Sequence, residues 1–242
     1  MPKNSVTILS TRPISGKQLD NALAQGVRIS VRSFIETSPV QNIEIQQELE
    51  SISVQEAIVV FTSMNAVEAV IGMLDGHIPN WRIYCMGNTT QQLVADYFGE
   101  DAIAGTGNNA VELAETLIKN EMPDEVIFFC GNLRRDELPA RLHKERIDVQ
   151  EIIVYETTAI HHKVEEQYDG ILFFSPSAAE SFFATNQLPP HTVLFAIGTT
   201  TRDAIARFTQ NRIVVSGQPG KDELVEQAVN YFTGRKQPEN KQ

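Results

Sequence analysis

Phe61-Thr62-Ser63-Met64-Asn65-Ala66-Val67-Glu68 reads as the end of a buried strand running into the start of a helix. Phe173-Phe174-Ser175-Pro176-Ser177-Ala178-Ala179-Glu180 reads the same way, 112 residues further on. The match continues. Gly87-Asn88-Thr89-Thr90 returns as Gly198-Thr199-Thr200-Thr201, and Glu112-Leu113-Ala114-Glu115 as Glu223-Leu224-Val225-Glu226, both at an offset of 111. A weaker block joins Val6–Leu23 to Val126–Leu142, where Leu19 and Leu23 answer to Leu138 and Leu142. Blocks that recur in one order at nearly one offset mark a duplicated unit, so two similar lobes are expected.

The type of unit follows from the hydrophobic pattern. Short β-branched or aromatic runs stand at Val6–Leu9, Ala57–Phe61, Trp81–Met86, Val126–Cys130, Ile171–Phe174, Val193–Ile197 and Arg212–Val215. Such runs suit strands covered on both faces. Helical patterns separate them at Gly16–Ala24, Asn65–Leu74, Thr89–Phe98, Ala110–Asn120, Glu137–Lys144, Ala178–Thr185, Thr200–Phe208 and Asp222–Phe232. Strands alternating with helices through short loops predict an α/β fold with parallel sheets. Val27–Thr37 and Val149–Ile160 read as two long, one-sided strands at matching points of the copies, and hence as connections between the lobes. Thr233–Gln242 is polar and aperiodic and reads as a disordered tail.

Composition narrows the function. The 242 residues include 42% hydrophobic and 21% charged residues, enough apolar material for a core. The net charge is −11, which argues against a nucleic-acid or anionic-membrane binder. No apolar stretch approaches the ~18 residues of a membrane span. Met1-Pro2-Lys3-Asn4-Ser5 opens no long apolar run, so a cytoplasmic protein without a signal peptide is expected. Cys85 and Cys130 lie in strand-like runs and read as buried thiols, too few for a cysteine-rich zinc site. No amphipathic stripe is left over for a partner subunit, so a monomer is expected.

Candidate chemistry gathers where strands end. In open α/β sheets, ligands bind outside the carboxyl ends of the strands. Ser63, Gly87-Asn88-Thr89-Thr90, Ser175-Pro176-Ser177 and Gly198-Thr199-Thr200-Thr201 stand there, each opening a helix. Either these residues only cap their helices, or the helix starts also bind anions through free amides and the positive dipole end. Arg12, and Arg134 with Arg135, follow strands at corresponding points and are either solvated or carboxylate contacts. Tyr155 ends an apolar run in the second connection and is either a packing residue or a hydroxyl donor. There is no GxGxxG after the first strand, no GxxxxGK[ST] and no HExxH, and the adjacent His161-His162 cannot share a helix face.

Taken together, FTSMNAVEAV at Phe61–Val70, YCMGNTTQQLV at Tyr84–Val94, VIFFCGNLRRDELPARL at Val126–Leu142, VYETT at Val154–Thr158, ILFFSPSAAESFF at Ile171–Phe183 and FAIGTTTRDAI at Phe195–Ile205 resemble the uroporphyrinogen-III synthase family. The resemblance implies two α/β lobes joined by a two-stranded β ladder, with the active site between them. It implies that residues 1–36 and 159–242 form one lobe and 37–158 the other, and that Val27–Thr37 and Val149–Ile160 make the ladder. The implied reaction dehydrates and cyclises linear hydroxymethylbilane with inversion of the last pyrrole, using no metal or cofactor. Hydroxymethylbilane synthase would hand over the substrate.

Carried over residue by residue, the family's cleft tyrosine falls on Tyr155. Its glycine-threonine turns fall on Gly87, Thr89, Thr90, Gly198, Thr200 and Thr201, and its serine turns on Ser63, Ser175 and Ser177. Met64 stands where the family often has Pro, and Asn132-Leu133 before Arg134 departs from its pattern, which leaves the choice between Arg134 and Arg135 open. The alternative function is a two-lobed ligand-binding or regulatory protein that kept the fold and lost turnover.

Overall fold

The structure is a computed structural model that describes residues 6–217 and 220–234. The chain divides into two compact units, one of Met1–Glu36 and Thr158–Gln242 and the other of Thr37–Thr157. In the first, strands β1 (Val6–Ser10), β2 (Val27–Val31), β9 (Gly170–Phe173), β10 (Val193–Ala196) and β11 (Ile213–Val215) form a parallel sheet in the order β11-β10-β9-β1-β2. Successive strand residues point to opposite faces. Ile8, Leu172 and Phe195 therefore pack with helices α1 (Gly16–Ala24) and α9 (Lys221–Thr233). Leu9, Ile171, Phe173 and Leu194 pack with α7 (Pro176–Phe183) and α8 (Thr199–Ala206).

The second unit is built alike. Strands β3 (Ile35–Pro39), β4 (Ala57–Phe61), β5 (Trp81–Met86), β6 (Ile103–Gly107), β7 (Glu125–Gly131) and β8 (Asp148–Ala159) take the order β3-β8-β7-β4-β5-β6. The pairs from β8 through β6 are parallel. Val59, Phe61, Ile127 and Phe129 face α2 (Ile43–Ser53), α3 (Met64–Leu74) and α4 (Thr89–Phe98). Val60, Val126 and Phe128 face α5 (Ala110–Asn120) and α6 (Glu137–Lys144). Phe129 stacks on Phe61 at 5.4 Å and lies 5.6 Å from Trp81. Each fully buried ring of this kind contributes roughly 1.5–3 kcal/mol.

Most elements lie within a residue or two of their expected positions. Four differences have physical causes. The expected strand Val27–Thr37 is two strands, because Phe34 turns into the core and packs edge-on against Phe182 at 5.1 Å. β2 then joins the parallel sheet beside β1, and only β3 neighbours β8. The Ile160 N–H bonds to the Phe34 carbonyl and the Val40 N–H to the Val154 carbonyl, so residue numbers rise on one strand as they fall on the other. α2 leaves little trace in the sequence pattern because only Leu49, Ile52 and Ser53 of its eleven residues are buried.

β6 is equally faint because it holds Gly105 and Gly107, which weaken a strand pattern. Both are required here. A Cβ on Gly105 would lie 2.7 Å from the Tyr84 ring, and one on Gly107 would lie 2.4 Å from the Leu113 backbone. Finally, Thr233 closes α9 and Gly234 caps it in the left-handed region at φ 71°, so neither belongs to the tail expected from residue 233. Residues 235–242 of that expected tail lie outside the described residues. Among the described residues, no helix is long and apolar enough to cross a membrane.

This topology predicts how fragments behave. Residues 37–157 carry the strands from β4 to β8 without interruption, whereas 1–118 lacks β7 and leaves β4 with an unpaired inner edge. Expressed alone, 37–157 should unfold cooperatively in urea by circular dichroism, and 1–118 should show no cooperative transition.

Candidate active site

Parallel strands all end on one edge of their sheet, and the residues singled out from sequence sit on those edges. In the second unit, Ser63 follows β4, Gly87–Thr90 follows β5, Asn108-Asn109 follows β6, Asn132 follows β7, and Tyr155 lies in β8. In the first, Thr11-Arg12 follows β1, Ser175–Ser177 follows β9, and Gly198–Thr201 follows β10.

The helix starts differ in how their N–H groups are used. Ser63 caps α3 by accepting the Asn65 N–H at 3.1 Å. Ser175 caps α7 by accepting the Ala178 N–H at 3.1 Å, and it also shares a hydrogen bond with Ser177 at 3.1 Å. Replacing such a cap costs typically ~1 kcal/mol, so these serines have a structural task whatever else they do. At α4 and α8 the cap positions are Asn88 and Gly198, and neither supplies a side-chain cap. At α4 the first-turn amides are therefore left for solvent or a ligand, where the dipole favours an anion. Asn88 holds φ at 63°, a strained region for a residue with a Cβ. Thr89 and Thr200 are exposed, while Thr90 and Thr201 are packed inward. Gly87, Asn88, Gly107, Asn108 and Val111 line a depression of about 450 Å³.

Tyr155 is half-buried and packs against the α3 face of the core. Its hydroxyl donates to Ser63 Oγ at 3.2 Å. Ser63 Oγ thus accepts two hydrogen bonds, from Asn65 N–H and from Tyr155, which uses both its lone pairs and points its own proton elsewhere. Two sequence-distant candidates are therefore one unit: a phenol and a serine hydroxyl at a helix start.

The two arginines are in opposite conditions. Arg134 bonds to both Asp136 and Glu151. Burial would lower its pKa, but those two acidic partners raise it overall, and they neutralise its charge toward any ligand. Arg12 lies over the Phe174 ring at 5.7 Å, and its Nε is buried without a hydrogen-bond partner. Burial lowers its pKa. A buried donor left unpaired costs about 1–3 kcal/mol, which marks Arg12 rather than Arg134 as the cation held ready for an acceptor. Cys85 and Cys130 are free and buried, and burial pushes both thiols up to about 11, so neither is a nucleophile at neutral pH. Among the described residues, no cluster of His, Cys, Asp and Glu could hold a metal.

Sequence reasoning missed Asn88 as a strained cap, and Gly131 and Asn132 as neighbours of Tyr155. The glycine ending the run Phe128-Phe129-Cys130-Gly131 was the available signal for the last two.

Comparison with known proteins gives a consistent answer. The family model described as uroporphyrinogen-III synthase HemD matches residues 18–226. The uroporphyrinogen-III synthase of Saccharomyces cerevisiae is 28% identical over an alignment of 148 residues that covers 53% of this chain. The matched region spans about half the length of that relative, 54%. Two solved structures share the fold. A mutant uroporphyrinogen III synthase from the extremely thermophilic bacterium Thermus thermophilus superposes with a TM-score of 0.69 at 12% identity, over 96% of this chain and 100% of that one. The uroporphyrinogen-III synthetase of Helicobacter pylori superposes with a TM-score of 0.64 at 17% identity, over 93% and 99%.

The condition of Arg12 is testable apart from any reaction. Arg12→Met keeps the stem volume over Phe174 and removes the unsatisfied Nε. Its urea midpoint should equal or exceed that of the wild type. A loss above about 1 kcal/mol would show that the guanidinium serves the fold.

Proposed function

The chain belongs to the uroporphyrinogen-III synthase family, and from that premise we propose that it converts linear hydroxymethylbilane to uroporphyrinogen III as a monomer in the cytoplasm. The observation that carries this reading is the hydrogen-bonded pair of Tyr155 and Ser63 on the sheet edge that also holds the uncapped start of α4. The two free, buried thiols suit a reducing compartment.

The reaction breaks the carbon–oxygen bond of a hydroxymethyl group and releases water. The nitrogen of the adjoining electron-rich pyrrole supplies the electrons that expel the hydroxyl, and a proton donor makes it a better leaving group. Tyr155 is that donor. At rest its proton points to Ser63 Oγ across 3.2 Å, longer than the usual 2.7–2.8 Å for hydroxyl pairs, so little is lost when it turns to the substrate. Ser63, whose own proton is directed away at rest, can then turn to donate to the phenol oxygen and steady any charge that develops there.

Ring closure with inversion is chiefly a problem of orientation. The substrate is a flexible polycarboxylate, and holding it in the reactive arrangement can supply ~7–11 kcal/mol in favourable cases. The carboxylate contacts in this reading are, in the second unit, the uncapped amides of α4 and the Thr89 hydroxyl and, in the first unit, Arg12 and the Thr200 hydroxyl. The inward Thr90 and Thr201 act through packing of their turns, and Gly87 and Gly198 admit the ligand to the backbone. Ser175 and Ser177 form a hydroxyl pair at the corresponding start in the first unit. Arg134, already paired, orders its loop instead of binding substrate. Retention of Tyr155 and of both glycine-threonine turns favours turnover over the non-catalytic alternative. Substrate arrives from hydroxymethylbilane synthase, because a reactive linear intermediate is best handed on directly.

Tyr155→Phe keeps the ring and removes the donor. In an assay coupled to hydroxymethylbilane synthase, wild type should form isomer III, and the variant should turn over about ten- to a hundredfold more slowly at unchanged stability. Equal rates would make Tyr155 a packing residue, and absence of isomer III with wild type would overturn the proposed activity.

A further inference from the structure

β7 ends at Gly131, yet contact with β8 continues through Asn132. The Asn132 N–H donates to the Tyr155 carbonyl at 3.2 Å. The Thr157 N–H donates to Asn132 Oδ1 at 2.9 Å, and Asn132 Nδ2 donates to the Thr157 carbonyl at 3.3 Å. The carboxamide thereby imitates one more strand residue and grips β8 just past Tyr155.

Just before this grip the ladder slips. Cys130 pairs with Ile153, but Gly131 pairs with Tyr155, so Val154 is the extra residue of a bulge. The slip lays the Tyr155 ring directly on Gly131. A Cβ there would stand 2.4 Å from Tyr155 Cζ and 2.8 Å from its hydroxyl oxygen, closer than side chains come. With no side chain at 131, the ring rests on backbone alone, and its height follows the strands themselves. The backbone on either side must do so.

We propose that Asn132 is a positioning residue for Tyr155, holding the strand beyond the bulge so that the phenol stays within reach of Ser63 and of the leaving hydroxyl. The inference rests on the role given to Tyr155 above. Asn132 is exposed, and its side chain touches β8 through polar atoms alone in these bonds, so its loss should be tolerated by the fold. A small misplacement of a reacting group can cost up to ~10²-fold in rate.

The experiment is a double-mutant cycle of Asn132→Ala and Tyr155→Phe, read as kcat and KM in the coupled assay, with melting temperature as the control for folding. Asn132→Ala should lower kcat about five- to tenfold with KM within about twofold, and should have no further effect on the Tyr155→Phe enzyme. Asn132→Asp, which keeps the acceptor for the Thr157 N–H, should recover most of the loss. Wild-type kcat in Asn132→Ala, or the same fractional loss in both backgrounds, would overturn the inference and leave the role of Tyr155 standing. A Tyr155→Phe enzyme with normal turnover would overturn that role and the inference with it.

Discussion

Parallel pairing makes every strand of a sheet end on the same edge, and the helix that follows each strand must start there. That constraint organises both units. It brings Ser63, Gly87–Thr90 and Tyr155 to one edge although up to 92 residues separate them, and it brings Arg12, Ser175 and Gly198 to the other. No cluster of charged catalytic groups is needed to make such an edge polar. Helix starts present N–H groups by construction, and the chain decides at each whether to satisfy them internally.

Those decisions divide the labour. α3 and α7 are closed by serine caps, whose hydroxyls then serve as fixed partners. α4 is left without a side-chain cap and keeps its first-turn amides open, and α8 likewise lacks a side-chain cap. In the proposed reading, this is how a chain of net charge −11 would meet a polycarboxylate without a basic patch. The unpaired Nε of Arg12 and the strained Asn88 are local costs that the surrounding packing over-determines, as is common where a site must be ready before its ligand arrives.

Much of the fold was legible in the sequence because its strands and helices carry strong, distinct periods. Ala57–Phe61, Trp81–Met86, Gly16–Ala24, Thr89–Phe98 and Ala110–Asn120 stand in the structure with the limits read from pattern alone. What escaped depended on contacts with distant parts of the chain. The break at Phe34 is set by a pocket beside Phe182, and β6 is glycine-rich because Tyr84 and Leu113 occupy the space a side chain would need. In the candidate site, the turns were visible but the facing of their threonines was not. Which of Thr89 and Thr90 points outward depends on how α4 lies on its sheet, and sequence spacing does not contain that rotation. The partnership of Arg134 with Glu151 and of Tyr155 with Ser63 was likewise invisible, since each joins chain segments that only the sheet brings together.

The proposed reaction has two separate tasks: a phenol eases departure of the hydroxyl, and a set of helix-start contacts decides which way the ring closes. A single-turnover reaction of hydroxymethylbilane with Tyr155→Phe enzyme in excess tests that separation directly, because all substrate is then bound while it closes. Closure should then be slow and should still yield uroporphyrinogen III. Closure that yields the uninverted isomer I on the enzyme would contradict it, and would place the choice of product in the tyrosine itself.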